Sequence, residues 1–119
     1  MTSALQLFAN AGDGVFAVDQ EQRILFWNDL AQQTLGHSPQ EAIGKYCWEL
    51  LNGQNESGLQ ICCPDCPVIQ RIRKKLPVEP FDLFVKHRTG QTIKLNISSI
   101  GLPSNGDEIT GLIHIQRKG

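Results

Sequence analysis

The sequence predicts an α+β fold in which one antiparallel sheet of five strands carries short helices and one longer helix on one face. Two short β-prone runs stand before a stretch of helical periodicity, and three strands of alternating polarity occupy the last third of the chain. Strands that alternate in this way have one buried and one wetter face. The helices are therefore expected on the buried side of the sheet.

The length and composition agree with a single domain over residues 1–119. Leu, Ile, Val and Phe make up 34 of the 119 residues, which is enough for a core without disulfides. The net charge is -1, so no basic excess exists for binding nucleic acid. Neither a membrane-length apolar run nor the basic start of a signal peptide is present. We expect a cytoplasmic domain without contact to nucleic acid or membrane.

The first elements are a helix and a hairpin. Residues 1–10 predict an amphipathic helix, with Leu5 and Phe8 on one face behind a Ser3 cap. The runs GVFAVD and RILFWN, joined by the polar turn QEQ, then predict two antiparallel strands.

Short helices are expected after Asn28. One ends at Gly36, and the next begins with a Ser38 cap, Pro39 at the first helical position and Glu41 at the capping-box position. The run KYCWELLNG predicts a third helix that stops at Gly53. The run VIQRIRKK predicts the longer helix, with one apolar stripe and basic residues in its last turn.

The last three strands are FDLFVKH, TIKLNISSI and EITGLIHI, separated by RTGQ and GLPSNGD. In the middle strand Ile93, Leu95 and Ile97 alternate with polar residues, which predicts one buried face.

This order of elements and three motifs resemble the PAS domain, a sensory module common in bacterial signalling proteins. The motifs are GDGVFAVDQEQRILFWND, LGHSPQEAIGK and the RTGQ turn. The resemblance covers residues 5 to 117 and implies a PAS core over residues 13–117, preceded by the helix of residues 1–10. It also implies the strand order 2-1-5-4-3 and a pocket between the concave sheet face and the helices.

The resemblance places apolar side chains on that concave face. The residues expected to line it are Phe16, Val18, Leu83, Val85, Leu95, Ile97 and Ile113. Flavin needs buried polar partners, so such a surface disfavours it. His114 is expected on the opposite face and His37 and His87 near turns, so haem is not expected. A packed core without a cofactor is favoured over an apolar or small ligand.

The cysteines form the most distinctive motif. Cys63 and Cys66 make a CxxC just before a helix, where a helix N-terminus favours the thiolate, and Cys62 is adjacent. A minority of PAS domains resemble this chain in having such a CxxC and an upstream cysteine, here Cys47. That resemblance implies a cluster of Cys47, Cys63 and Cys66, with Cys62 as a fourth ligand or a spectator. Redox-active thiols, a zinc or iron–sulfur site, and no cysteine chemistry all stay open.

We expect a regulatory input domain of a bacterial signal-transduction or transcriptional regulatory protein. It would relay ligand, redox or partner state to an effector beyond Gly119. No nucleophile or acid–base constellation can be placed, so the domain is not expected to be an enzyme. A cysteine-based redox or metal sensor is the main alternative, and a small CxxC thiol oxidoreductase is disfavoured because its CxxC would follow a strand.

A homodimer is expected through the N-terminal helix and the outer sheet face. The outer-face candidates are Val15, Ala17, Phe84 and Leu112.

Overall fold

Five strands form one antiparallel sheet in the order β2-β1-β5-β4-β3, in a computed structural model that describes residues 12–103 and 109–118. The strands are β1 Gly14–Asp19, β2 Ile24–Trp27, β3 Phe81–Lys86, β4 Thr92–Pro103 and β5 Ile109–Lys118. The predicted fold class and strand order are confirmed. The helix predicted for residues 1–10 lies outside the described residues.

Four short helices separate β2 from β3. They are α1 Asp29–Leu35, α2 Pro39–Ala42, α3 Cys47–Leu51 and α4 Pro67–Arg73. Their buried side chains form one apolar cluster with one face of the sheet, which we call the inner face. A smaller cluster of Val15, Ala17 and Ile113 lies on the opposite, outer face.

Local capping starts the first two helices where the sequence predicts. Asn28 is the N-cap of α1, and its Oδ1 accepts hydrogen bonds from the amides of Ala31 and Val15, both at 2.9 Å. It therefore joins the helix start to β1. Ser38 and Glu41 form the predicted capping box of α2, with Pro39 in the first turn.

The last two helices end earlier than predicted. The helix expected to be the longer one, α4, has 7 residues, as does α1. Lys75 leaves the helical region with φ of 59°, and Pro77 follows, so the chain cannot continue the helix. Helix α3 stops at Asn52, which takes the left-handed conformation with φ of 46°, instead of at Gly53.

Candidate functional site

Most residues expected on the concave face lie on the inner face of the sheet. Each is at most 3% exposed and belongs to the cluster that includes the helices. They are Phe16, Val18, Leu83, Val85, Leu95 and Ile97.

Ile113 lies on the outer face, whereas the sequence predicted it on the concave face. It belongs to the outer-face cluster with Val15 and Ala17, whereas Leu112, expected on the outer face, packs in the inner cluster. The strand register explains the inversion. Ala17 of β1 pairs with Ile113 of β5, and directly paired side chains share a face.

His114 consequently lies on the inner face, not the outer one. Its register partner is Phe16, and the two ring centroids are 4.8 Å apart. The ring nitrogen Nδ1 is 2.9 Å from the hydroxyl oxygen of Ser99. Burial lowers the pKa of His114 to about 4, so the ring is neutral near pH 7.

All four cysteines line one small cavity beneath the inner face. Cys47 begins α3, Cys66 is the N-cap of α4, and Cys62 and Cys63 lie in the loop between these helices. The cavity measures about 40 Å³ and His114 also borders it. All four residues are free thiols. The fold thus joins residues that are up to 19 positions apart, from Cys47 to Cys66.

Burial controls the chemistry of three of these thiols. It raises the pKa of Cys62 to about 11 and raises the pKa of Cys47 further. Burial also raises the pKa of Cys66, although the amides of Ile69 and Val68 oppose the effect. The expected helix N-terminal contribution is therefore present at Cys66 but is outweighed by desolvation. These three side chains are thiols at neutral pH, which slows their reactions as nucleophiles.

The cysteines do not fit a metal centre in this structure. Within residues 12–103 and 109–118, no group of three or more His, Cys, Asp or Glu side chains is arranged to hold an ion. Zinc and iron–sulfur sites need several thiolates converging on one point. Cys47, Cys62, Cys63 and Cys66 line a common cavity but do not form such a group.

The cavity in this structure is also smaller than a typical small-molecule pocket. Small-molecule pockets measure roughly 300 Å³ or more, whereas about 40 Å³ has room for a few water molecules at most. Flavin was disfavoured because the concave face was expected to lack polar side chains, and the structure corrects that expectation. His114 and Gln116 both lie on the inner face, so that face is less apolar than the sequence indicated.

Gln22 is a residue of this site that the sequence analysis missed. It lies in the turn between β1 and β2, is 5% exposed and borders the cysteine cavity. Its side-chain Nε2 donates to the Cys63 carbonyl at 3.0 Å, and its Oε1 accepts from the Asp65 amide at 2.6 Å. The only local signal was its place in a polar turn, which predicts exposure instead of burial.

The fold defines the class of the protein as an α+β domain with one five-stranded antiparallel sheet, and the comparisons identify the family. A family model described as PAS domain matches residues 12–117. The chain therefore belongs to the PAS domain family. Comparison with curated proteins gave no match.

Solved structures share this fold at low sequence identity. The PAS domain of a protein from Colwellia psychrerythraea is 17% identical, with TM-score 0.77 over 99% of this chain and 95% of that chain. A LOV protein from Rhodobacter sphaeroides is 13% identical, with TM-score 0.79 over 98% of this chain and 65% of that one. A domain of a sensory box sensor histidine kinase/response regulator from Geobacter sulfurreducens is 22% identical, with TM-score 0.72 over 98% and 92% of the two chains.

The helices within the described part of the chain are short. Among the residues that the structure describes, none forms a helix with the length and apolar character needed to cross a bilayer.

Proposed function

We propose that this PAS domain is the sensory input module of a bacterial signalling protein and that its cysteine cavity reports thiol redox state. The module acts on an effector outside residues 1–119 and performs no catalysis of its own. The observation that carries the proposal is that four free cysteines line one cavity beneath the sheet. The fold likeness to a domain of a sensor histidine kinase from Geobacter sulfurreducens supports a signalling context.

The reactive pair in this proposal is Cys63 and Cys66. Pro64 and Asp65 separate them, and Asp65 has φ of 55°, a pattern typical of a tight turn. The Cα atoms of the first and fourth residues of a β-turn lie within about 7 Å of each other. This range overlaps the Cα separation found in disulfides. Hydrogen peroxide would oxidise the two thiols to one disulfide and be reduced to two molecules of water.

The raised pKa values set the character of the response. Since Cys47, Cys62 and Cys66 are protonated at neutral pH, brief exposure to oxidant leaves them reduced. A sustained oxidising change is then the signal. The proposed compartment is the cytoplasm, where thiols are otherwise kept reduced. The proposal requires no bound cofactor.

Peroxide treatment followed by mass spectrometry tests the proposal. Because no Lys or Arg occurs between Tyr46 and Gln70, trypsin leaves all four cysteines in one peptide. Cleavage before Asp65 then separates Cys63 from Cys66, so a disulfide between them holds the two fragments together. We expect one disulfide, lost in Cys63→Ser and Cys66→Ser.

The matched control is Cys62→Ser, which removes the neighbouring thiol and leaves the CxxC intact. It should still form the disulfide. Four unmodified thiols after prolonged peroxide exposure, or a disulfide that joins Cys47 to Cys62, would show the proposal to be wrong. Metal that copurifies in stoichiometric amount would favour the alternative metal sensor.

A further inference from the structure

The side chain of Gln22 connects the CxxC loop to the β1–β2 turn. Its amide group makes two hydrogen bonds to that loop, one to the Cys63 carbonyl and one from the Asp65 amide. The side chain is 5% exposed, so water does not readily replace these bonds. Both bonded peptide groups lie between the two sulfur-bearing residues of the CxxC.

The backbone of Gln22 connects the same point to the sheet and to Cys47. Its carbonyl accepts a hydrogen bond from the Cys47 amide at 2.9 Å, and its own amide donates to the Asp19 carbonyl at 3.0 Å. Asp19 is the last residue of β1 and pairs with Gly111 of the central strand β5. Gln22 therefore links two cysteine-bearing segments with the end of β1 and, through Asp19, with β5.

Gln22 holds these contacts in an uncommon backbone conformation. Its φ is 69°, in the left-handed region that a glutamine seldom adopts. Outside the buried contact, Arg73 adds a second connection, because it pairs with the Asp65 carboxylate and donates to the Gln20 carbonyl at 2.7 Å. The Arg73 side chain is 46% exposed, so its ion pair contributes less than the buried amide contacts.

We propose that Gln22 is the coupling residue through which the redox state of Cys63 and Cys66 reaches the sheet. This inference rests on the proposed function. When the two thiols lose two protons and two electrons to hydrogen peroxide, one S–S bond forms and two waters are released. The bond brings the two Cβ atoms to about 3.8 Å. The Cys63 carbonyl and the Asp65 amide lie within the closed ring, so in this proposal ring closure shifts them and Gln22 follows them or loses its bonds.

Residue-resolved amide hydrogen exchange of reduced and peroxide-oxidised protein tests the coupling. In the native chain, oxidation should change exchange at the Cys47 amide and in β1 by about fivefold or more. In Gln22→Asn, the shorter side chain cannot reach the loop, while Asn tolerates the positive φ better. We expect the change in β1 to fall below about twofold in that variant, although the disulfide still forms.

Gln22→Glu separates the two hydrogen bonds and serves as a second variant if Gln22→Asn does not fold. It keeps the acceptor for the Asp65 amide and loses the donor to the Cys63 carbonyl, so an intermediate response is expected. Gln91→Asn, at an exposed glutamine in the β3–β4 turn, is the matched control and should behave as the native chain.

The outcomes distinguish the coupling from the redox function. If the disulfide forms and either Gln22 variant retains the full native change in β1, the coupling proposal is overturned. If the native chain forms the disulfide without any change in β1, the coupling is equally overturned. If no disulfide forms in the native chain, the proposed function fails first.

Discussion

At the scale of single residues, His114 is a neutral ring held in the interior of the domain. Burial lowers its pKa from 6.5 in an ordinary setting to about 4. The unfolded chain therefore binds a proton first as pH falls. The stability that neutral His114 contributes is fully present above pH 6.5 and is lost as the pH falls to about 4.

We expect the free energy of unfolding to drop by about 3 kcal/mol through this window on account of His114. Urea unfolding followed at several pH values measures the drop. In His114→Gln, which can still hydrogen bond to Ser99, the drop should be largely absent. His87→Gln, in the turn after β3, should leave it unchanged. If the free energy of unfolding dropped by the same amount in both variants over this pH range, the assignment to His114 would be contradicted.

Gln116 is a second buried polar residue on the inner face. It is 2% exposed, and neither Nε2 nor Oε1 has a hydrogen-bond partner among the residues that the structure describes. It also borders a groove of about 540 Å³ at the ends of β1 and β5, which is separate from the cysteine cavity. A buried amide without partners destabilises the folded state.

Replacing Gln116 by Met keeps a similar shape and removes both unpaired atoms. We expect Gln116→Met to raise the free energy of unfolding by about 1 to 2 kcal/mol. Chemical denaturation with a common slope provides the measurement. The exposed Gln33 borders the same groove, and Gln33→Met should have little effect. A destabilised Gln116→Met protein would show that the amide is already satisfied, for example by water.

At the scale of secondary structure elements, Asn28 determines how α1 meets the sheet. Its Oδ1 accepts from two amides, one in the helix and one in β1, and its Nδ2 donates to the Asp13 carbonyl at 3.0 Å. Asn28 is 3% exposed, so its removal leaves buried donors unpaired.

We expect Asn28→Ala to lower the free energy of unfolding by about 2 to 3 kcal/mol. Ser38→Ala is the comparison, because Ser38 caps only its own helix α2 and its loss should amount to about 1 kcal/mol. Thermal or urea unfolding of both variants gives the difference. Equal effects would mean that the bond from Asn28 to β1 adds nothing to ordinary capping.

The strands differ in how well their residues predict a buried face. In β3 and β4 the faces differ in polarity, so Leu83, Val85, Leu95 and Ile97 were assigned correctly to one side. In β5 apolar side chains lie on both faces, because Leu112 packs in the inner cluster and Ile113 in the outer one, and both are buried. Alternation then carries no information, and a shift of one residue exchanges the two faces.

At the scale of the whole molecule, fewer residues are available for the expected dimer surface than the sequence predicted. Val15 and Ala17 lie on the outer face but are at most 1% exposed, and Leu112 lies on the inner face. Ile100 is 50% exposed and pairs with Ile113, so its side chain shares the outer face. It is the residue through which we expect the outer face to contact a second copy.

Sedimentation velocity over a concentration series tests this homodimer. We expect Ile100→Lys to weaken association by about fivefold or more, because it places a charge in an apolar contact. Leu59→Lys changes an exposed leucine in the loop after α3 and should leave association unchanged. A strict monomer at high concentration would exclude the dimer.

The sequence by itself determined the order of elements, the cap at Ser38, and the presence of a CxxC before α4. These features depend on contacts between residues a few positions apart, and their signals are local. Only the tertiary structure decided which face of β5 points to the helices and that Cys47 and Gln22 meet the CxxC loop. It also decided that Cys47 and Cys62 stay protonated, because desolvation depends on the surrounding packing and not on neighbours in the chain.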